Sequence, residues 1–389
     1  MRGVGAKASE GDSPRMSEDT IFFHHTHGLK ILLILIKIKE RLPLIIDHLT
    51  TACPSAKIST MITNLEEKVL RGGHISKEEA FYISEISGTE IFELLAAANK
   101  IRNHFRGNTV GLCSIINAKS GACTEDCSFC AQSSKSKANI EVYPFLEKRI
   151  ILQKAKEAKN LGAERFSIVT SGRRISEINL LEIADMIPEI RKTGLIPCAS
   201  LGMLGEKELS VLKLAGLDRY HHNLETSEGF FPEICSTHSY ADRLKTIEAA
   251  ESIRLSLCSG GIFGIGETWE DRIDMAFLLK KLNVDSIPIN FLIPIKGTVL
   301  AHRGLLYPFE ALKIISLYRY ILPQKEIRIC GGRMQTLGEF NSMVFLAGAD
   351  SLLIGNYLTA LGRNSEDDFR LIKAYGLIPQ YKDQFLGKI

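Results

Sequence analysis

From Thr109 onward the chain repeats one pattern eight times, a short apolar run followed by an amphipathic stretch. The apolar runs are Val110–Ile116, Arg165–Thr170, Pro197–Leu201, Arg219–Asn223, Leu255–Cys258, Ser286–Asn290, Ile327–Cys330 and Ser351–Ile354. The helical stretches are Leu146–Asn160, Glu177–Lys192, Glu206–Ala215, Ala241–Ser252, Trp269–Lys281, Phe309–Tyr320, Leu337–Leu346 and Glu366–Tyr375. Short strands alternating with helices of roughly ten to fifteen residues specify βαβ units and a parallel sheet. Eight such units predict an α/β fold, a (β/α)8 TIM barrel. A doubly wound open sheet is the alternative. Against it, no G-x-G-x-x-G opens the first helix.

Ahead of the barrel, Ile62–Asn103 reads as a helical lead-in, with Ser76 and Glu79 spaced as a capping box. The expected organisation is therefore an atypical, poorly ordered extension at 1–60, a helical lead-in at 61–106, and a barrel with a C-terminal helical segment at 107–389. The extension carries eight Lys/Arg, six Asp/Glu and four histidines (His24, His25, His27, His48). Its apolar run Ile31–Ile36 is far shorter than the roughly 20 residues of a membrane span. Acidic residues before that run, and no small-residue cleavage site after it, fit a signal peptide poorly. Met61 is a plausible alternative start. A net charge of +3 in 389 residues argues against a nucleic-acid binder.

The nine cysteines are odd in number and cannot all pair. A chain this long has no need of disulfide staples. Cys123, Cys127 and Cys130, spaced C-x3-C-x2-C, fall in the loop after the first strand, at the end of a barrel where catalytic groups lie. Three close thiolates suit a [4Fe–4S] cluster with one iron left open. A zinc site would want a fourth Cys or His, and none follows within the loop. Cys198, Cys258 and Cys330 lie on alternate strands whose inward side chains share one interior, so they can converge on a second site. The plainer reading is that each is a small buried hydrophobe. Cys53, Cys113 and Cys235 receive no role.

The cysteine loop, with Phe129 before its third cysteine, resembles the radical S-adenosylmethionine superfamily. The run Ser120–Gln132, together with His222–Ser227, Cys258–Thr268 and Pro288–Asn290, resembles the biotin synthase family over roughly residues 61–380. That resemblance implies a radical enzyme inserting sulfur into dethiobiotin to form biotin. It implies a [4Fe–4S] cluster with S-adenosylmethionine at Cys123, Cys127 and Cys130. It also implies an auxiliary iron–sulfur cluster, a reductant such as flavodoxin or ferredoxin, and a homodimer. It places Phe129, Thr170, Asn223, Glu225, Arg243, Ile262 and Ile293 against S-adenosylmethionine, and Asn223 and Asn290 against substrate. Glu225 stands where Asp is common in the family.

The residues have readings of their own. Asn223 and Glu225, two apart at a strand end, share a face. Arg243 carries a guanidinium suited to a carboxylate. The glycine-rich Gly260–Glu267 can let backbone approach a nucleoside. The family's auxiliary site uses three cysteines and an arginine. Cys198, Cys258 and Arg328 match, but Ser167 replaces the remaining cysteine, and a hydroxyl is a poor iron–sulfur ligand. Cys330, two residues after Arg328, faces the same side. A rebuilt four-iron site of Cys198, Cys258 and Cys330, resembling an anaerobe-type variant, competes with a [2Fe–2S] site of Ser167, Cys198, Cys258 and Arg328. Two further readings stay open: another radical S-adenosylmethionine enzyme of hydrogenase-maturation or methylornithine type, and a non-catalytic iron–sulfur carrier. Exposed thiolate-bound iron implies a reducing cytoplasm.

Overall fold

A computed structural model describes residues 54–356, 358 and 362–380. The four histidines of the extension and Cys53 lie outside the described residues, as does most of the expected 1–60 segment. The chain divides into compact units at Met1–Thr60 and Met61–Ile389. The helix α1 (Pro54–Leu70) begins before the expected boundary.

The lead-in continues with α2 (Lys77–Glu85) and α3 (Glu90–Arg106). The Ser76–Glu79 capping box forms. Glu79 N donates to Ser76 Oγ at 3.2 Å, and Ser76 N donates to Glu79 Oε2 at 2.7 Å. The barrel strands are β1 (Thr109–Lys119), β2 (Arg165–Thr170), β3 (Ile196–Ser200), β4 (Arg219–His221), β5 (Ser256–Cys258), β7 (Ser286–Phe291), β8 (Glu326–Ile329) and β9 (Ser351–Leu353). All pair in parallel, and β1 pairs β9 to close the barrel. Two short strands lie off this ring: β6 (Gly261–Phe263) pairs β7, and β10 (Ile378–Pro379) pairs β1.

The intervening helices are α4 (Lys148–Asn160), α5 (Glu177–Lys192), α6 (Glu206–Leu214), α7 (Tyr240–Ser252), α8 (Trp269–Lys281), α9 (Pro308–Ile321), α10 (Arg333–Leu337) and α11 (Ser365–Ala374). The helix expected over Leu337–Leu346 differs. The α-helix is Arg333–Leu337, and Gly338, at φ +51, ends it and passes the chain into a 3-10 turn at Gly338–Met343. α9 buries every residue from Ala311 to Ile321 except Lys313, because it packs against the barrel strand β8 on one side and α2 and α3 on another. Among the described residues no helix is long and apolar enough to cross a membrane.

The end of the barrel opposite the cysteine loop is locked by Asp350. Its Oδ1 accepts from Arg319 Nη2 at 2.6 Å and from Ile327 N at 2.8 Å, and its Oδ2 accepts from Arg106 Nε at 2.6 Å. Arg319 is fully buried. Asp350→Asn leaves that guanidinium without its counter-charge, a loss of about 3–5 kcal/mol for a broken buried pair. The expected result is a urea midpoint lowered without a change in slope.

Candidate active site

The cysteine loop is shaped before any metal is considered. β1 shifts register against β2 between Asn117 and Lys119, and Gly121 and Ala122 then take left-handed φ of +70 and +50. A Cβ at position 121 would sit 2.6 Å from Val142, so glycine is required there twice over. The loop closes on itself. Cys123 N donates to Gln132 O at 3.1 Å, Ser134 N to Cys123 O at 2.8 Å, and Cys130 N to Cys127 O at 3.0 Å. Gln132 Oε1 accepts from Gly121 N and Asn117 Nδ2. Cys123, Cys127 and Cys130 are thus held on one stapled turn, and all three line a cavity of about 300 Å³ at the C-terminal end of the barrel.

A second group meets this loop from a distant segment. Cys127 donates to Cys235, with 3.9 Å between the sulfurs. Cys235 also contacts Asp126 Oδ1 at 3.3 Å and His238 Nδ1 at 3.2 Å. His238 Nδ1 lies 2.6 Å from Glu125 Oε2. The shared proton pushes Cys127 well up, burial adding to the effect. The same contact, with His238 and Thr237, outweighs burial and holds Cys235 down to about 4. Among the described residues, Cys127, Cys235 and His238 are the one group of three such ligand atoms all within 4.8 Å of each other. Sequence spacing shows no fourth Cys or His in the loop, yet both stand beside it in space, 108 and 111 residues on from Cys127.

The same cavity is lined by Thr170, Asn223, Glu225, Arg243 and Asn290. Asn223 and Glu225 do face one cavity, but not through strand alternation. β4 stops at His221, and Glu225 reaches the cavity through a left-handed φ of +73, a costly conformation for a residue with a Cβ. Asn223 Nδ2 donates to Glu225 Oε2 at 3.4 Å. Arg243 Nη1 donates to Asn223 O at 2.7 Å and lies 3.8 Å from Glu225, over the ring of Phe231. Burial raises the Glu225 carboxyl above its usual range, Arg243 opposing. Gly260 and Gly261 are required by the backbone around them. A Cβ on Gly260 would lie 2.1 Å from Pro288 O, and one on Gly261 would lie 2.3 Å from Glu225 O. Gly260 lets β7 approach, and Gly261 lets the Glu225 turn approach. Glu267 fixes the rest of that loop by accepting from the N–H groups of Gly264, Ile265 and Gly266. Asn290 Nδ2 donates to Gly261 O and its Oδ1 accepts from Gly331 N. Ile262 and Ile293 do not line the cavity; Ile262 pairs in register with Asn290.

Deeper in the same cavity lie Cys258, Arg328 and Cys330, together with Cys113, to which the sequence assigned no role. Cys113 and Cys330 pack against each other with Leu353. Cys113, Cys258 and Cys330 all surround the Arg328 guanidinium. Against burial, the Glu326 carboxylate is the main group that holds it charged. Cys198 and Ser167 are adjacent in register on β3 and β2, both buried, and Cys198 lies within electrostatic reach of Arg328 and Cys113. Arg165 Nη1 reaches Cys198 Sγ at 3.7 Å. Burial pushes the Cys113 thiol up to about 12, and raises Cys198 and Cys330 as well. Burial also holds His221 and His222, which line the cavity, far below their ordinary value and so neutral.

Residues 118–279 match the Radical SAM superfamily, and residues 288–378 match the Biotin and Thiamin Synthesis associated domain. The chain is 54% identical to the biotin synthase of Thermodesulfovibrio yellowstonii over 295 residues, covering 76% of this chain and 93% of that one. The chain belongs to the biotin synthase family. The biotin synthase of Pelotomaculum thermopropionicum is 47% identical over 313 residues, covering 80% of this chain and 98% of its own length. Among solved structures, methylornithine synthase superposes at a TM-score of 0.72 with 20% identity, covering 82% of this chain and 97% of its own. The FeFe-hydrogenase maturase HydG of Carboxydothermus hydrogenoformans superposes at 0.71 with 18% identity, covering 90% and 85%. These two share the barrel fold.

A radical SAM member of the biotin synthase family carries a four-iron cluster with S-adenosylmethionine, and the cavity fits that pair. Three thiols converge on its rim. Thr170 Oγ1, His222 Nε2 and Arg243 Nε, all on cavity-lining residues, are buried without a partner, which in a native fold calls for a bound polar group.

Proposed function

We infer that this chain is a biotin synthase that inserts sulfur into dethiobiotin. The observation that carries the reading is one cavity with sulfur at two depths: Cys123, Cys127 and Cys130 at the mouth, and Cys258 and Cys330 beside Arg328 below. Substrate held between them faces a radical source on one side and a sulfur source on the other. When bound, the loop's cluster and S-adenosylmethionine supply a radical able to take hydrogen from saturated carbon. The chain's own residues position the reactants. Arg243 offers its free edge to a carboxylate. Asn223 and Glu225 offer an amide and a carboxyl to ribose hydroxyls, with Phe129 and Thr170 on the flanking walls. Asn290 keeps one amide hydrogen for substrate. The neutral imidazoles of His221 and His222 leave the floor without added positive charge.

For the auxiliary group, the reading is a four-iron cluster held by Cys198, Cys258 and Cys330, with Arg328 alongside. Ser167 Oγ is fully buried and unpartnered, so the rival two-iron set of Ser167, Cys198, Cys258 and Arg328 has its oxygen in place. Thiolate chemistry and the position of Cys330 in the cavity favour the first. Cys113, packed on Cys330, is a further thiol within this set. The function also calls for a one-electron donor of flavodoxin or ferredoxin type, a homodimer and a reducing cytoplasm; the eight described cysteines are all unpaired. Anaerobic turnover with reductant, S-adenosylmethionine and dethiobiotin is expected to yield 5′-deoxyadenosine and biotin. Absence of 5′-deoxyadenosine returns the carrier reading. 5′-Deoxyadenosine without biotin returns another radical enzyme of the same barrel.

A further inference from the structure

We propose that Cys127 and Cys235 are a reversible disulfide site, through which a cluster ligand exposed to peroxide is captured in recoverable form. The proposal goes beyond the sulfur-insertion reading and rests only on Cys127 being a ligand of the loop cluster.

Geometry selects this pair. Among the described residues, the sulfur–sulfur hydrogen bond is the one between Cys127 and Cys235, at 3.9 Å. Bond formation requires these sulfurs to close from 3.9 Å to about 2.05 Å. The two thiols have unequal access. Cys127 is half-buried and lines the open cavity, whereas Cys235 is buried behind it and does not. A small oxidant therefore meets Cys127 first. Cys235 is set up as the resolving partner. Its sulfur lies 3.3 Å from the Asp126 carboxylate, 3.5 Å from Thr237 Oγ1 and 3.2 Å from His238 Nδ1. Of these, the carboxylate and the imidazole are able to take a proton, and the hydroxyl holds the sulfur in place by hydrogen bonding. The nest itself is rigid: Glu125 accepts from Thr237 Oγ1 at 2.9 Å and meets His238 at 2.6 Å, while Asp126 accepts from Ser236 N at 2.9 Å. Both carboxylates immediately precede Cys127 in sequence, so the same contacts that hold Cys235 also hold the loop.

The step balances with hydrogen peroxide as oxidant. The Cys127 proton passes to the Cys235 sulfur that it faces, and the Cys127 sulfur takes one oxygen of the peroxide, giving the sulfenic acid and a hydroxide that is protonated from the Asp126–His238 nest to one water. Cys235 sulfur then attacks that sulfur, the S–S bond forms, its proton goes to the Asp126–His238 nest, and hydroxide leaves to become the second water. Two thiols are oxidised by two electrons and the peroxide is reduced by two. The disulfide stops Cys127 short of the sulfinic acid, from which thiols do not return by simple reduction.

The test uses the full chain, loaded with iron and then stripped by a chelator under anaerobic conditions. One equivalent of hydrogen peroxide is added, remaining thiols are alkylated, and the digest is read by mass spectrometry without reduction. The expected result is a linked pair of peptides containing Cys127 and Cys235. Dithiothreitol should then restore both thiols and the original iron loading. In Cys235→Ser, two equivalents of hydrogen peroxide should carry Cys127 to the sulfinic acid, which dithiothreitol does not reverse, and lower reloading several-fold. Recovery of Cys127 joined to Cys123 or Cys130 overturns the proposal. So does over-oxidised Cys127 with Cys235 still alkylated. Should Cys235→Ser fail to fold, the linked peptide of the wild type decides alone. Iron uptake by the untreated chain separates failure of this proposal from failure of the cluster reading.

Discussion

Replacing Cys330 by Ser is expected to abolish biotin formation while 5′-deoxyadenosine is still released. Cys330 stands beside Cys258 and Arg328 at the floor of the cavity, well away from the loop that holds the radical source. Its loss should leave Cys123, Cys127 and Cys130 loaded and the second site empty. Exchange of a residue that merely supports a metal ligand already costs about 10–100-fold, so loss of a ligand should lower product by more than about 100-fold. Iron should fall from about eight per chain toward about four, the content of one cubane. A wild-type count of about six points instead to the two-iron set with Ser167. Cys113→Ser is the companion. Iron that stays at the wild-type value makes Cys113 a packing residue for Cys330. Iron that falls with it makes Cys113 part of the ligand set.

Replacing Arg243 by Ala is expected to act on S-adenosylmethionine and not on iron. The guanidinium spends Nη1 on the Asn223 carbonyl and leaves Nε buried without a partner. Losing a hydrogen bond to a charged group costs about 1.5–3 kcal/mol. The concentration of S-adenosylmethionine needed for half-maximal 5′-deoxyadenosine release should therefore rise by roughly 10- to 100-fold. Arg243→Lys should recover little of this, because a point charge cannot reproduce the planar fork. Arg243 also orders the Asn223–Glu225 turn, so a urea curve separates the two effects. An unchanged midpoint with weakened cofactor use is the expected result, and equal loss in both assigns Arg243 to structure.

The barrel was legible because strand and helix periods alternate so regularly. β2, α5 and α8 have the residues that the pattern specifies. The misreadings arose where a tertiary contact decides. Asn223 and Glu225 share a wall because of a strained turn, which no alternation rule predicts. At Gly260 and Gly261 the missing side chains make room for the Pro288 and Glu225 carbonyls, a requirement that the sequence alone does not show. Cys113 reads as one more apolar residue of β1, and only barrel closure brings it against Cys330, just past the end of β8. Cys235 and His238 carry no local spacing signal towards Cys127. Their partners, Glu125 and Asp126, sit inside the cysteine motif itself, and that pairing of a motif's acids with a distant Cys-x2-His was the one available hint.

The central claim is that one cavity places substrate between a radical source and a sulfur source held by the barrel's interior thiols. The most direct measurement begins with protein whose clusters are rebuilt from heavy-isotope sulfide. Excess sulfide is then removed, and a single anaerobic turnover is run with dethiobiotin, reductant and S-adenosylmethionine in ordinary-isotope medium. The account predicts biotin carrying the heavy sulfur isotope from the wild type, and none from Cys330→Ser. Biotin made with ordinary sulfur, or made equally by the variant, would contradict it.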